Sequence, residues 1–565
     1  MIRSLYVKNS ALWAAYGDAF GFITELADAK GVFERTKLHK IVKTVPWRRR
    51  IGGKFGVFVD LPAGCYSDDT ELRLSTSRAI RSNGEFDVEA FSKVEIPVWL
   101  VYALGAGRGS KAAASHLLKS GVTWMTNFYD YEGLSYVNGG GNGAAMRIQP
   151  HVWAAGAARK PEHILSQVVR NSICTHGHAR GIVGASFHAL CLSRALATNI
   201  VPRPDEWFEF LQLLEIIPEL IVSDNQLASF WLPTWERLSQ TSLKEAFGKV
   251  LIECKQDLKV IEQILTMKNA TYKEIVASLE CFSSENKGSG TKTAILAGVL
   301  SFMYRGNPEA GIIDAANLLG SDTDTIATMA GAILGATTRD EPVGEIKDRA
   351  YIESEALRLY KISVGEVTSS YNYPDLLKWS LPSSHLDFVG VTNDKVTVAG
   401  LGVAKNVHEV AYQPGKYPNK WQWVDLSIGQ SILVKSRSKL EQIKPDMLPR
   451  SMSLNYDLAD KNAVNRQRVL FDERIYPKRE LEAKYSKPTE ITGRRTIPSV
   501  QAQTIHIDID EATKKVIDSG FDPTLIGKYV LEIASQRSGI ENSIAFVAII
   551  AKARIARMNI KKLDS

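Results

Sequence analysis

Cysteine is scarce in this chain. There are five in 565 residues (Cys65, Cys174, Cys191, Cys254 and Cys281), an odd number, widely spaced and without a CxxC pair. That excludes a disulfide framework and argues against thiolate zinc; the five read as reduced core residues of a cytoplasmic protein. No run of 18 apolar residues is uninterrupted, and the first helix pattern is broken by Lys8, Asn9 and Asp18, so neither a membrane span nor a secretory leader is expected. Convincing strands are few before residue 374. Surplus charge is small, +7 overall, and unevenly placed: residues 1–380 hold 41 basic and 41 acidic side chains, and 381–565 hold 28 and 21. A basic C-terminal third on a neutral body points to an acidic partner, nucleic acid or protein, or to solubility alone.

What the chain does have is a long series of helix patterns. Apolar residues recur at three and four spacing in Leu5–Phe22, Leu72–Ile80, Phe91–Ala103, Lys111–Leu118, Ile182–Ala197, Trp207–Leu220, Leu243–Lys255, Ala294–Tyr304, Ala310–Leu319 and Asp324–Leu334. The expectation is a mainly α protein: a large all-helical domain over 1–375, with a short hairpin within 45–66. Then follow a small β-rich module over 385–437, an extended linker over 440–498, and a C-terminal strand and helix region over 499–565. In that last region Thr504–Asp508 alternates like a strand, and Ile540–Lys562 reads as an apolar helix with a capping box of Ser538 and Glu541. Its apolar residues predict docking on another element. Trp421 and Trp423, beside Lys416 and Lys420, read as one face of a small core rather than as a base-stacking pair.

Two acidic clusters carry the chemistry. Ser67-Asp68-Asp69-Thr70-Glu71 and Gly320-Ser321-Asp322-Thr323-Asp324-Thr325 each open a helix pattern, more than 250 residues apart. Glu71 fits a capping box, but Asp68 and Asp69 are adjacent carboxylates that repel unless a cation or several donors neutralise them. The second cluster lacks the glycine and glutamate of an EF-hand. If the two helix starts meet, their oxygens form a site for hard divalent cations such as Mg²⁺ or Mn²⁺. Asn138-Gly139-Gly140-Gly141-Asn142-Gly143 is a glycine loop whose backbone amides suit a diphosphate, without the Lys-Ser/Thr of a P-loop or a preceding strand. Thr175-His176-Gly177-His178 offers one hydrogen-bonding histidine rather than a zinc pair.

Five segments in order, GDAFGFITE, YSDDTEL, GGGNGAAMR, THGHARG and LLGSDTDTIATMAGAILGA, make residues 8–340 similar to the ADP-ribosylglycohydrolases related to the dinitrogenase-reductase-activating enzyme and the ADP-ribosyl-acceptor hydrolases. The resemblance implies an all-helical enzyme that uses two Mg²⁺ ions to cleave ADP-ribose from a modified macromolecule. It implies Ser67, Asp68, Asp69, Asp322, Asp324 and Thr325 as metal ligands, with serine at 67 where threonine is usual. It also implies Glu25 beside the metals, Gly139, Gly140 and Asn142 at the diphosphate, and His176 on the substrate. Lys111, where the family often has small residues, would pair with a phosphate or narrow the pocket. Catalysis would fall to Glu25 or Asp69 activating water, with Glu25 favoured. The rivals are a non-catalytic ADP-ribose-binding or immunity protein and a metal-dependent glycosyltransferase using Asp322 and Asp324. The first has no need of an intact ligand set, and the second needs strands around its nucleotide. The acceptor, and any nucleic acid or protein partner recruited through 381–565, are left open.

Overall fold

The helices that position the site are α1 (Ile2–Thr24), α2 (Ala29–Thr36), α3 (Asp68–Arg78), α4 (Arg108–Leu117), α5 (Ala179–Thr198), α6 (Gly290–Met303), α7 (Thr323–Gly335) and α8 (Arg349–Ser363). The structure, a computed structural model, describes residues 2–53, 56–131, 133–156, 159–414, 418–450, 508–535 and 539–563. Helix α1 is not the amphipathic helix its polar interruptions predict. Every residue from Asn9 to Thr24 is buried, so it runs through the centre of the body and is covered on all sides.

Its polar residues are absorbed by α7 and the chain that follows it. Ser10 Oγ donates to Ala332 O at 2.8 Å and Asn9 Nδ2 to Thr338 O at 3.0 Å. The two helices run antiparallel with glycine every fourth residue on both. A Cβ at Gly21 would lie 2.2 Å from Thr323 O, one at Gly17 2.3 Å from Ala327 O, and one at Gly331 2.3 Å from Trp13 O. Only hydrogen fits between the backbones, which fixes the end of α1 against the start of α7. The Trp207–Leu220 pattern is broken into Pro204–Leu213 and Ile217–Ser223, where Pro218 opens the second helix. Helix α5 is long and apolar enough to cross a membrane, but 78% of that stretch is buried inside the protein.

The hairpin within 45–66 is present as β1 (Trp47–Ile51) and β2 (Val57–Leu61), antiparallel, with Gly52 and Gly53 inside the connection. A two-stranded ribbon, β3 (Asp130–Tyr131) and β4 (Leu134–Ser135), precedes the glycine loop. The β-rich module is a five-stranded antiparallel meander of β5 (Val389–Thr392), β6 (Lys395–Val398), β7 (Gly402–Gln413), β8 (Asn419–Leu426) and β9 (Ser431–Arg437). It is not a separate domain, because its inner face and the helices share one continuous apolar core. Lys435 N donates to Val101 O and Arg78 Nη1 to Gln430 Oε1, both at 2.8 Å. Trp421 is buried and Trp423 lies under Lys347 at 4.4 Å, so this pair packs on the body; Lys416 lies outside the described residues. The expected linker also begins too early. Residues 440–450 pack on the sheet through Ile443, Met447 and Leu448, and 451–498 lie outside the described residues.

The chain divides into two compact units, Met1–Gln467 and Arg468–Ser565. In the second, α9 (Ile509–Asp518), α10 (Pro523–Ala534) and α11 (Gly539–Leu563) close over Ala512, Val516, Ile533, Phe546 and Ile550. The expected docking of the last helix is therefore onto α9 and α10. Of the strand expected at Thr504–Asp508 only Asp508 is described, and it caps α9 by accepting from Asp510 N at 2.8 Å. The capping box of Ser538 and Glu541 lies outside the described side chains.

Candidate active site

The first acidic cluster is held in shape by α1. Asp18, buried in that helix, accepts from Ser67 N at 2.9 Å, from Thr70 N at 2.8 Å and from the Thr70 hydroxyl. Asp68 N donates to Leu104 O at 2.8 Å, and Ser67 Oγ caps α3 by accepting from Asp69 N at 3.3 Å. Arg73, one turn into α3, donates to Thr328 Oγ1 at 2.8 Å and so ties α3 to α7. Glu71 does not make the expected capping box: its carboxylate accepts from Trp99 Nε1 at 2.8 Å and Leu104 N at 3.3 Å.

The second cluster arrives on α7. Thr323 Oγ1 donates to Gly21 O at 3.0 Å, Asp324 Oδ1 accepts from Thr325 N at 2.9 Å, and Thr325 Oγ1 meets Asp69 Oδ1 at 3.4 Å. The two clusters, 256 residues apart in sequence at that contact, are thus in direct contact. Burial first, and then the neighbouring carboxylates, push the Asp68, Asp69 and Asp324 carboxyls well above their ordinary range. Asp69 Oδ2 is buried without a hydrogen-bond partner. Among the described residues no three Asp, Glu, His or Cys side chains form a ready ligand group around one point. The carboxylates instead line an open cleft of about 700 Å³ together with Glu25, the glycine loop, His176 and residues 284–289.

Glu25 stands just past the end of α1 with its carboxylate 3.0 Å from Arg49 Nη1. Burial raises its pKa, Arg49 opposes that, and Asp322 adds to it. Arg49 lies inward on β1, and sequence reasoning had no means of pairing it with Glu25. Arg35 of α2 bolts the same corner by donating to Ile23 O and Glu25 O at 2.7 and 2.9 Å.

The glycine loop lines the opposite wall, but its amides are unequally available. Those of Gly139, Gly140 and Asn142 are engaged by Tyr136 O, Asn138 O and Gly288 O at 3.2, 2.9 and 3.1 Å. Gly141 and Gly143 keep theirs without an acceptor among the described residues. Asn142 Nδ2 donates to Asp322 Oδ2 at 2.9 Å, which links the loop to the second acidic cluster. A Cβ at Gly143 would lie 2.7 Å from Ser110 Oγ and 2.8 Å from His176 Cε1, so loop, α4 and histidine close on one another. His176 shares a hydrogen bond of 2.7 Å with Thr175 Oγ1; burial and then Arg147 push its pKa down to about 3, which keeps the ring neutral. His178 caps α5 instead, accepting from Arg180 N at 3.1 Å. Lys111 is on the exposed face of α4 and does not line the cleft, where Ser110 does, though its charge favours ionised Asp68. The 284–289 segment, Ser-Glu-Asn-Lys-Gly-Ser, went unread; its only signal is a polar, glycine-containing stretch before α6.

Residues 7–360, well over half the chain and the whole of this cleft, match the ADP-ribosylglycohydrolase family model. The chain belongs to the ADP-ribosylglycohydrolase family. It is 26% identical over 294 residues to the ADP-ribosylhydrolase ARH3 of Xenopus tropicalis, a match spanning 49% of this chain and 75% of that protein. A solved structure described as an ADP-ribosylglycohydrolase-related protein complex aligns with 64% of this chain and 99% of its own at 19% identity and a TM-score of 0.39, too loose a likeness to argue from. The sheet β5–β9 and the C-terminal unit lie beyond the matched residues of this ADP-ribosylglycohydrolase.

Proposed function

We propose that the chain removes ADP-ribose from a modified macromolecule by hydrolysing the glycosidic bond at the distal ribose. In this reading Mg²⁺, as a pair of ions with Mn²⁺ as a substitute, is held by Ser67, Asp68, Asp69, Asp322, Asp324 and Thr325. The observation that carries it is the meeting of Asp69 and Thr325 at 3.4 Å, with Asp69 Oδ2 left buried and unpartnered beside it. Hard cations would neutralise buried carboxylates that repel one another, and the donor set of carboxylate and hydroxyl oxygens suits them. Bound there, such ions supply Lewis acidity and orientation for ribose hydroxyls and water.

The chain's own groups do the rest. The free amides of Gly141 and Gly143 donate to diphosphate oxygens, and neutral His176 contributes a hydrogen bond without a charge. Glu25, whose ionised form Arg49 favours against burial, takes a proton as water attacks the anomeric carbon. The carbon–acceptor bond breaks and the leaving group takes up a proton. Nothing in this arrangement restricts the acceptor to an N- or an O-linkage.

The test is a panel of ADP-ribosylated proteins, DNA and RNA incubated with enzyme and Mg²⁺. Glu25→Gln is expected to lower kcat about 10²–10⁴-fold while calorimetry still finds ADP-ribose binding close to wild type. Asp324→Asn is expected to abolish the Mg²⁺-dependent activity. Wild-type rates in Glu25→Gln would remove it from the reaction.

A further inference from the structure

A local basic run adjoins the corner of the cleft that carries Glu25. Residues 30–54 contain nine basic side chains and one acidic one, a local surplus of +8 against +7 for the whole chain. The segment builds α2, β1 and the start of the hairpin connection, and Arg35 and Arg49 anchor it to the corner that carries Glu25.

Alternation along β1 sorts its residues. Trp47, Arg49 and Ile51 face inward, while Arg48 and Arg50 are exposed. On β2 the register sets Phe58 opposite Arg50. Phe58 is 52% exposed, with the Arg50 guanidinium 4.7 Å and the Arg48 guanidinium 5.6 Å from its ring centre. A second such group lies on and just after α2: the Phe33 ring, 39% exposed, stacks on His39 at 4.8 Å and has the Lys37 ammonium at 5.9 Å. Two partly exposed aromatics, each attended by cations on one basic segment, offer stacking platforms within a phosphate-attracting field.

We propose that this basic segment binds a single-stranded nucleic acid beside the cleft, so that the macromolecule relieved of ADP-ribose is nucleic acid or lies along it. The proposal rests on the hydrolase reading for the presented group. The binding itself does not.

The experiment uses the full-length chain and fluorescein-labelled, unmodified single-stranded RNA and DNA 20-mers, with a poly-glutamate peptide as the acidic-protein arm. Fluorescence anisotropy is expected to show binding to the strands that weakens with salt. Phe58→Ala is expected to reduce affinity about tenfold, the loss of one stacked base, and Phe58→Tyr to retain it. Arg48→Ala with Arg50→Ala is expected to flatten the salt slope by about 1.4, or 0.7 per lost phosphate contact. Hydrolysis of a short ADP-ribosylated peptide should stay near wild type in these variants. Failure to bind the strands, binding unaffected by the variants, or equal binding of poly-glutamate with indifference to Phe58→Ala would each overturn the proposal. A wild-type chain that binds RNA but cleaves no ADP-ribosylated substrate would instead count against the hydrolase reading alone.

Discussion

In the proposed reaction Glu25 and Arg49 act as a pair. Neither is informative alone in sequence, and the contact joins the end of α1 to a strand 24 residues later. Removing Arg49 leaves only Arg35 to oppose burial and the Asp322 charge, so the Glu25 pKa rises and the proposed base is lost at low pH first. Arg49→Met is therefore expected to move the acidic limb of the kcat profile to higher pH, with partial rescue in alkaline buffer and in Arg49→Lys. An unchanged profile would show that Arg49 only packs. A second pH effect concerns stability. His151, His176 and His188 are buried and held neutral with pKa values pushed down to about 3, by burial first and then by Arg147 for the first two and Arg73 for the third. Between about pH 6.5 and 3 the unfolded chain binds protons that the native one refuses, so these groups stabilise the fold fully above about pH 6.5 and lose that contribution as pH falls. Each lowers stability by up to about 1.4 kcal/mol per pH unit across that window. His188→Asn should make the unfolding midpoint in urea less sensitive between pH 6 and 4, a comparison with wild type that cancels the opposing carboxylates.

At the scale of elements, the two acidic clusters were legible because each interrupts an apolar run with more oxygen than a helix start requires. Their convergence was an inference from ligand chemistry, and the packing that produces it was not read. GDAFG at 17–21 and GAILG at 331–335 are glycine pairs spaced by four, a pattern that marks close helix contact, but Asp18 drew the reading toward charge. Asp18 is instead the scaffold of the first cluster, and Glu71, read as a cap, secures the 99–104 segment. The cleft also depends on which amides the glycine loop has left, which only the fold reveals. The prediction here is Gly21→Ala. Its Cβ would lie 2.2 Å from Thr323 O and 2.5 Å from the Asp324 Cα, so α7 must shift just where it carries the second cluster. A destabilisation of about 1–3 kcal/mol is expected, together with a loss of activity larger than that destabilisation explains, read as a raised Mg²⁺ concentration for half-maximal rate. Gly335→Ala, at the far end of the same contact, should destabilise similarly and leave the Mg²⁺ requirement alone.

The whole molecule was legible as a helical body with a basic C-terminal region, but its boundaries were not. Periodicity reports what an element looks like and not whose core it fills, so the sheet read as a module of its own. Charge counted in large blocks hid the basic run at 30–54, because acidic residues elsewhere in the first 380 cancel it. In the fold, the sheet supports the site from behind. Arg78, at the end of α3 opposite Asp68 and Asp69, is buried with Glu95 at 2.8 Å and, besides Ser75 Oγ and Tyr351 Oη, donates to Gln430 Oε1, between β8 and β9, at 2.8 Å. Asp348, before α8, likewise accepts from Ser431 N at 2.9 Å. A chain ending at residue 380 removes these partners, leaving a buried guanidinium short of an acceptor at about 1–3 kcal/mol and uncovering the apolar face on which Phe388, Val398 and Leu433 pack. That truncation is expected to be insoluble. A chain ending at residue 450 keeps every described residue of the first core and, among the described residues, deletes only the helices that close over their own, so it is expected to remain monodisperse with kcat/KM for a small ADP-ribosylated peptide within about twofold of full length. If the 450 chain were inactive while folded, residues beyond 450 would be required for activity. If the 380 chain were soluble and active, the sheet would be an appendage after all.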